Sequence, residues 1–245
     1  WTSDFIHYLE LDPVQRQYDH DQLTLSMLYA YCEHYVLTLG TRSAGEISEF
    51  MDKLPGDEKQ KLAQIRAAYT YQMLHPGIKM TSPGKELSRE METFLHDLNE
   101  LYCSHPALWQ KDHEYEGFEW IQLMKYEENV LTFMRKTEKP EETLVAVVNF
   151  AAVPYENYQI GVPFKGKYKE IFNSDRKEYG GMGAGNPRAK SSKAEECDER
   201  ENSLKIRIPA FGAVVLSCTL AEKAEKKPLK KPAARKRSTA KKTSK

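Results

Sequence analysis

Residues 204–218, LKIRIPAFGAVVLSC, mark the carboxy-terminal part of the chain as β structure. Apolar and polar residues alternate over 204–208, and 211–218 is a nearly continuous apolar run. Each pattern is typical of a short strand, and Pro209 between them is a turn signal. Similar segments precede them at residues 118–123, 129–135, 144–150, 158–162 and 168–172. Such a series of short strands without intervening helices predicts an antiparallel β-sandwich over residues 105–220.

Upstream of residue 105 the pattern is helical. Apolar residues recur at steps of three and four in three segments, which predicts three helices with one apolar face each. Their members are Leu23, Met27, Ala30, Tyr31 and Tyr35; Leu62, Ile65, Tyr69 and Met73; and Leu87, Met91, Phe94, Leu95, Leu98 and Tyr102. Asp57 is placed to cap the middle helix, and HPG at 75–77 to end it. The run 35–39 has the length of a buried strand.

Charge is distributed unevenly along the 245 residues. Lys and Arg number 36, as do Asp and Glu, so the formal net charge is zero. Residues 221–245 carry 11 basic and two acidic residues, a balance of +9 that leaves −9 for residues 1–220. This tail has one Leu and no aromatic residue, which predicts a disordered arm. Two interpretations stay open: it binds nucleic acid or another polyanion, or it is a solubilising tail that lies over its own acidic body.

The composition excludes several classes of protein. With 40% hydrophobic and 11% aromatic residues, the chain suits a globular fold. No apolar window approaches a membrane span, and no charged-then-apolar start suggests secretion, so we expect a cytoplasmic protein without membrane contact. The four cysteines form no C-x-x-C pair, which favours reduced thiols over a metal site or disulfides. The chain begins at Trp1 rather than Met, which indicates a truncated chain or an incomplete reading frame.

A series of short motifs carries a family resemblance. In chain order they are YLELDP at 8–13, RQY at 16–18, KLPGD at 53–57, HPG at 75–77, DLN at 97–99, HPALW at 105–109, EGFEWI at 116–121 and YGGMGAGN at 179–186. In this order and register, the chain resembles the carboxy-terminal third of bacterial 1,4-α-glucan branching enzymes, retaining transglycosylases of the α-amylase superfamily. The resemblance implies an α+β protein: residues 1–104 as the mostly helical remnant of the last part of a (β/α)8 barrel, and residues 105–220 as the all-β domain.

The loop after the first predicted strand departs from the family. There, the resemblance implies a Ser-His-Asp-Glu sequence, whose His and Asp hold the sugar in the reacting subsite. This chain has Gly40, Thr41, Arg42 and Ser43 instead, in a loop about two residues shorter. A guanidinium stays protonated and cannot stabilise positive charge that develops on the sugar. Glu46 is the nearest carboxylate, and we interpret it as a solvated residue at a helix start.

The catalytic carboxylates that the family requires are also missing. Retaining glycosyl transfer needs a nucleophile and an acid/base carboxylate about 5 Å apart. The resemblance places both on barrel strands that come before the position of Trp1. After HPG at 75–77, residues 78–83 lead almost directly into the next helix, so we expect a single remaining barrel strand. We therefore predict that the helices pack on one another and on the β-domain, without forming a barrel.

Other candidate sites are weaker. The seven histidines form no H-x-x-x-H pair, no G-x-S-x-G elbow is present, and the glycines of 180–185 lack the Lys-Ser/Thr of a phosphate loop. The resemblance makes those glycines a loop between strands. Three aromatic residues could stack on sugar rings: Trp109, Tyr115 and Trp120. Aromatic residues at strand starts more often belong to the core. Asp112, Glu114 and Glu116 could supply a pair of catalytic carboxylates. A solvated turn explains these residues better. We assign no catalytic, cofactor-binding or metal-ligating residue and expect no cofactor.

Two functional classes follow. In the first, the chain is a fragment or degenerate homologue of a branching enzyme of glycogen biosynthesis, which transfers α-1,4 glucan segments to α-1,6 positions, and is inactive alone. In the second, it is a non-catalytic protein whose β-domain binds α-glucan or a partner, with the basic tail of residues 221–245 as a tether for polyanions. Branching activity of the pure chain would contradict the first class, and retention on glycogen compared with retention on DNA would separate glucan binding from polyanion binding.

Overall fold

The computed structural model describes residues 1–33, 35–39, 47–81 and 87–221, with backbone only for 28–33 and 47–49. The amino-terminal elements are α1 (Thr2–Glu10), α2 (Asp21–Glu33), β1 (Val36–Leu39), α3 (Ile47–Lys53), α4 (Glu58–Leu74), β2 (Ile78–Thr81) and α5 (Arg89–Ser104). The three predicted helices are thus confirmed as α2, α4 and α5. The prediction is wrong for two outer residues of the patterns. Tyr35 lies between α2 and β1, and Leu87 precedes Ser88, the N-cap of α5.

The carboxy-terminal elements are strands. They are β3 (Phe118–Gln122), β4 (Val130–Arg135), β5 (Leu144–Asn149), β6 (Tyr155–Val162), β7 (Gly166–Asn173), β8 (Lys190–Ser191), β9 (Asn202–Ile208) and β10 (Gly212–Leu220). Every strand predicted from the sequence is present. The additional strand, β8, has two residues and pairs only with β7, so it leaves no periodic signal.

The strands form two antiparallel sheets. The large sheet has the order β3-β4-β5-β10-β7-β8, and the small one pairs β6 with β9. Side chains from both sheets fill one apolar core, including Val145 and Val147 of β5, Ile160 of β6 and Ile206 of β9. The predicted antiparallel sandwich is therefore confirmed.

The other face of the large sheet is covered by helices. Its alternate residues Phe133, Ala146, Val148 and Val215 belong to a second core that also contains residues of α1, α4 and α5. Successive side chains of a strand point to opposite faces, and at β5 both faces of the sheet are covered. All six positions of β5 are therefore buried. The prediction that the helices pack on the β-domain is confirmed.

A second strand corrects the expectation of a single remaining barrel strand. β2 lies parallel to β1, with Val36 opposite Ile78 and Leu39 opposite Thr81. The run IKMT at 78–81 does alternate apolar and polar residues, but four residues give a weak signal, and the pairing partner lies some forty residues away. The β1-to-β2 connection contains α3 and α4, as a parallel pair requires a long crossover.

Helix α4 lies at the centre of the helical part. It begins at a capping box, in which Asp57 accepts from the Gln60 N–H and the Gln60 side chain accepts from the Asp57 N–H, and it ends before His75. From Gln64 to Leu74 every residue is buried. The prediction of one apolar face is therefore wrong for α4, because α4 contacts β5 and β10 of the large sheet as well as β1.

Three buried arginines join α4 to its surroundings. Arg16 donates to the Gln64 side chain and to the carbonyl of Phe150 (3.0 Å). Arg66 donates to the carbonyls of Ser174 (2.9 Å) and Tyr179 (3.1 Å). Arg135 of β4 donates to the carbonyl of Leu74, the last residue of α4, at 2.8 Å. These bonds satisfy backbone oxygens that would otherwise be buried without a partner.

Candidate functional site

The carboxyl ends of β1 and β2 meet at one edge of their sheet. β1 ends at Leu39 and β2 at Thr81, and the segments 40–46 and 82–86 that follow them lie outside the described residues. The residues that depart from the family sequence, Gly40 to Ser43, and Glu46 are therefore not among the described residues. In parallel sheets, binding groups commonly gather at the edge formed by the carboxyl ends of the strands.

One face of the β1–β2 pair is apolar and exposed. Val36, Ile78 and Met80 are 51%, 53% and 53% exposed, and the register places Val36 beside Ile78 on the same face. The opposite face is covered, since Leu37 and Leu39 are buried. Parallel sheets normally have both faces covered, so this one differs from an ordinary α/β sheet.

The three candidate carboxylates at the start of the β-domain, Asp112, Glu114 and Glu116, have different surroundings. Asp112 is buried and contacts Arg135 and the Lys79 ammonium, the latter at 3.1 Å. Burial lowers the pKa of Lys79 to about 8, although Asp112 opposes this shift. Glu114 pairs with Lys111 at 2.9 Å instead, and Glu116 is exposed. The interpretation of all three as a solvated turn is wrong for Asp112, which links β2 to β4.

The three candidate aromatic residues have different environments. Trp120 packs its ring against Phe118 and Phe133, at centroid distances of 5.0 and 5.8 Å, and is partly buried against the helix-covered core. Trp109 and Tyr115 are 44% and 72% exposed. Only these two present accessible ring surface for stacking on a sugar.

The glycine cluster is a loop between β7 and β8, as the resemblance implied. Gly180 and Gly183 have positive φ values of 77° and 80°, which glycine adopts without strain. The Asp175 carboxylate accepts the N–H groups of Met182 and Ala184, both at 2.9 Å. Because an internal carboxylate already occupies these amides, the loop is not an anion site.

Among the described residues, one surface group has metal-like spacing: His96, Asp97 and Glu100 offer ligand atoms within 4.8 Å of one another. Their spacing on α5, i, i+1 and i+4, could have been noticed in the sequence. Asp97 already accepts hydrogen bonds from Tyr179 (2.7 Å) and His96 (3.2 Å). Partial burial raises the pKa of Asp97, but these bonds outweigh it and leave that pKa below its ordinary value. A general acid needs the opposite shift, so Asp97 and Glu100 are not a catalytic pair.

Two further observations concern location and redox state. None of the helices in the described ranges is long and apolar enough to cross a membrane. Of the cysteines with described side chains, Cys103 is exposed, Cys197 is partly buried and Cys218 is buried, and all three are free.

Comparison with known proteins gives the family context. The family described as "Alpha amylase, C-terminal all-beta domain" matches residues 120–219, a span that begins in β3 and ends in β10. A native-form debranching enzyme from Nostoc punctiforme has a similar structure, with a TM-score of 0.52 over 84% of this chain and 40% of that one. At 11% sequence identity this likeness concerns the fold alone.

Curated sequences give a closer match. The 1,4-alpha-glucan branching enzyme GlgB of Bacillus cereus strain AH820 is 36% identical over 252 residues, covering 93% of this chain and 39% of the relative. GlgB of Bacillus thuringiensis subsp. konkukian strain 97-27 matches with the same identity and coverage. The chain thus spans about two fifths of the length of these relatives. A match over almost the whole chain, with the all-β domain at its end, identifies it as homologous to the carboxy-terminal part of 1,4-alpha-glucan branching enzymes.

Proposed function

We propose that the chain is a fragment or degenerate homologue of a 1,4-α-glucan branching enzyme and that it branches no glucan alone. The observation that carries this proposal is the 36% identity to GlgB over 93% of the chain. Supplied with a catalytic barrel, it would take part in cleaving an α-1,4 glucan and re-attaching the segment through an α-1,6 bond. The proposal includes a cytoplasmic location, which fractionation of the source cells would test.

The amino-terminal topology supports the interpretation of residues 1–104 as the end of a barrel. β1, α3, α4 and β2 form a parallel strand pair with helices in the crossover, the repeating unit of (β/α)8 barrels. Helix α5 ends at Ser104, which supports a boundary to the β-domain near residue 105. The shared core of helices and large sheet means that this boundary separates two topologies rather than two independent cores.

Two features support inactivity of the chain alone. The sequence at 40–43 lacks the His and Asp that the family resemblance implies there. Within the described part of the chain, Asp112 is paired with Lys79 and Arg135, Glu114 with Lys111, and Asp97 accepts from Tyr179, so these carboxylates already have partners inside the protein.

A branching assay tests this proposal directly. The pure 245-residue chain, incubated with amylose, should form no α-1,6 linkages, measured by proton NMR of the anomeric region. Full-length GlgB from Bacillus cereus serves as the positive control. Linkage formation above the protein-free rate would refute the proposal of inactivity, provided it persists after repurification.

A second candidate function is glucan binding without catalysis, which the accessible rings of Trp109 and Tyr115 favour. If these rings stack on glucan, Trp109→Ala with Tyr115→Ala should weaken binding to glycogen about fivefold, since ring stacking contributes roughly 1 kcal/mol. Tyr18→Ala is the matched control, because Tyr18 is 80% exposed in the helical part. Affinity electrophoresis through glycogen-containing gels measures the effect, and equal retardation of all variants would exclude this site.

The basic tail supports a proposed polyanion partner only through its composition. Residues 221–245 have a charge balance of +9, and neutralising phosphates would make binding to DNA strongly salt-dependent. Retention on immobilised DNA with and without this segment, at increasing salt, tests the proposal. Retention that is unchanged by removing residues 221–245 would contradict it. We further propose that residues 222–245, which lie outside the described residues, are disordered when unbound, on the same compositional grounds.

A further inference from the structure

An acidic groove lies on the small sheet of the sandwich. It has a volume of about 560 Å³ and is lined by Glu128, Tyr155, Glu156, Tyr158, Glu195 and Glu196, together with Lys125. The residues come from β6, from the β3–β4 connection and from the segment before β9. None of them belongs to the sites described above, so the groove has no role in the proposed function.

The groove has an excess of negative charge. Lys125 is its only lysine among the described residues, and its ammonium lies 3.6 Å from Asp198. Glu156 is partly neutralised by Arg207, whose Nε donates to it at 2.7 Å. Glu195 and Glu196 are exposed and form no ion pair with any residue that the structure describes. Two carboxylates therefore remain available for a cationic ligand.

Aromatic rings line the same groove. The rings of Tyr155 and Tyr158 lie 5.0 Å apart, and Lys125 already places its ammonium 4.7 Å from the Tyr158 centroid. Burial, then the hydrogen bond to Glu128, raises the pKa of Tyr158, so its phenol stays neutral at physiological pH. Lysine suits such a surface, because its alkyl stem packs on a ring while its ammonium faces a carboxylate.

A lysine-rich segment of the chain begins close by. Ala221, the last described residue, donates its N–H to Lys165 at 3.0 Å, and Leu220 pairs with Gly166. Gly166 in turn accepts from the Ser192 N–H at 2.9 Å, and Glu195 follows Ser192 by three residues. The chain therefore leaves the large sheet within about 20 Å of Glu195, since the path consists of two strand spacings of about 5 Å and three residues at about 3.3 Å each.

We propose that residues 222–245 dock into the acidic groove of their own chain, with lysine side chains paired with Glu195 and Glu196 and lying against Tyr155. The segment has nine lysines and two arginines against two glutamates, so its charge complements the groove. Its 24 residues reach up to about 80 Å, far more than the distance to be covered. The regulatory consequence rests on the polyanion partner proposed above: a polyanion would have to displace the segment, so docking regulates the access of nucleic acid to the tail.

Zero-length cross-linking tests the contact on the full chain. A carbodiimide should join lysines of 222–245 to Glu195 or Glu196 within one chain, and peptide mass spectrometry identifies the linked residues. Adding 0.5 M salt should abolish these products, because it shortens the screening length to a few ångströms. Links only in a species of twice the mass would show docking on a second copy and overturn the proposal, as would links spread evenly over exposed carboxylates.

A variant pair tests the consequence for polyanions. Glu195→Gln with Glu196→Gln keeps side-chain shape and removes two charges; Glu100→Gln with Glu141→Gln is the control, from exposed positions on α5 and in the β4–β5 connection. The groove variant should bind a DNA duplex about fivefold more tightly at low salt and lose its tail to trypsin about fivefold faster, as two ion pairs worth roughly 1 kcal/mol together imply. Equal values for both variants and the unchanged chain would refute the proposal.

Discussion

Helices α4 and α5 have similar apolar spacing and both end before a His-Pro dipeptide, yet they lie in different environments. α5 buries one face through Met91, Phe94, Leu98 and Leu101 and leaves its opposite face exposed. α4 is buried on every side from Gln64 onward. The apolar pattern thus identifies a helix but does not tell whether its polar residues face water.

The polar side chains explain how α4 can be enclosed. Arg66 and Gln72 of α4 donate to backbone carbonyls of the β-domain and of the β1–β2 pair, at 2.8 to 3.3 Å. On α5 the exposed positions are occupied by residues such as Glu92 and Glu100. A buried polar group costs free energy unless it is hydrogen-bonded, so α4 depends on long-range contacts that α5 does not need.

Replacing Arg66 should give the largest difference between the helices. Arg66→Met leaves the carbonyls of Ser174 and Tyr179 buried without donors, so we expect about 3 kcal/mol less unfolding free energy. Arg89→Met, at the exposed start of α5, should change it by less than about 0.5 kcal/mol. Urea unfolding followed by circular dichroism measures both, and equal losses would show that the two helices are not differently enclosed.

The histidines that follow the two helices should give the second-largest difference, in the pH dependence of the unfolding free energy. Burial lowers the pKa of His75, at the end of α4, to about 3, below the roughly 6.5 expected when unfolded. Between these values only the unfolded chain binds the proton, so stability is complete above pH 6.5 and falls as the pH drops toward 3.

Unfolding at pH 7 and pH 5 measures this contribution. The unfolding free energies at pH 7 and pH 5 should differ by about 2 kcal/mol through His75, and His75→Gln should remove that part of the difference. His105→Gln, at the more accessible end of α5, is the matched control for replacing a histidine at a helix end. If both variants have the same pH dependence, His75 does not titrate as its burial requires.

The helix starts should give the smallest difference. Asp57 and Gln60 exchange two hydrogen bonds at α4 (2.9 and 3.0 Å), whereas Ser88 accepts one bond of 3.3 Å at α5. We expect Asp57→Ala to cost about 1 kcal/mol and Ser88→Ala about 0.5 kcal/mol in unfolding free energy. Thermal unfolding of both variants checks the order, and a larger loss at Ser88 would contradict the ranking of the caps.

Local signals in the sequence predicted most of the elements. Period-two patterns identified the strands of the sandwich, and Asp57 and HPG identified both ends of α4. Longer-range features escaped: the parallel partner β2 is four residues long, and the enclosure of α4 depends on Ser174, Tyr179 and Leu37, far away in sequence. Such contacts leave no periodic trace, because they involve backbone oxygens that every residue carries.

The candidate sites were predicted less completely. The family resemblance and the loop role of the glycine cluster were correct, but nothing in the spacing of Asp112 indicated that Arg135 and Lys79 would enclose it. The acidic groove assembles from three segments separated by up to seventy residues, and only folding brings Glu128 near Glu195. Sequence patterns therefore identified the chemistry of single residues better than their assembly.

Because strand β5 is covered on both faces, its backbone amides should be among the slowest in the protein to exchange hydrogen with solvent. Its amides lie between β4 and β10, with the helices on one face and the small sheet on the other. Water reaches them only when both layers separate, so their exchange reports the opening of the whole molecule. Comparing these amides with those of α5 would show whether helical and β regions come apart together or one after the other.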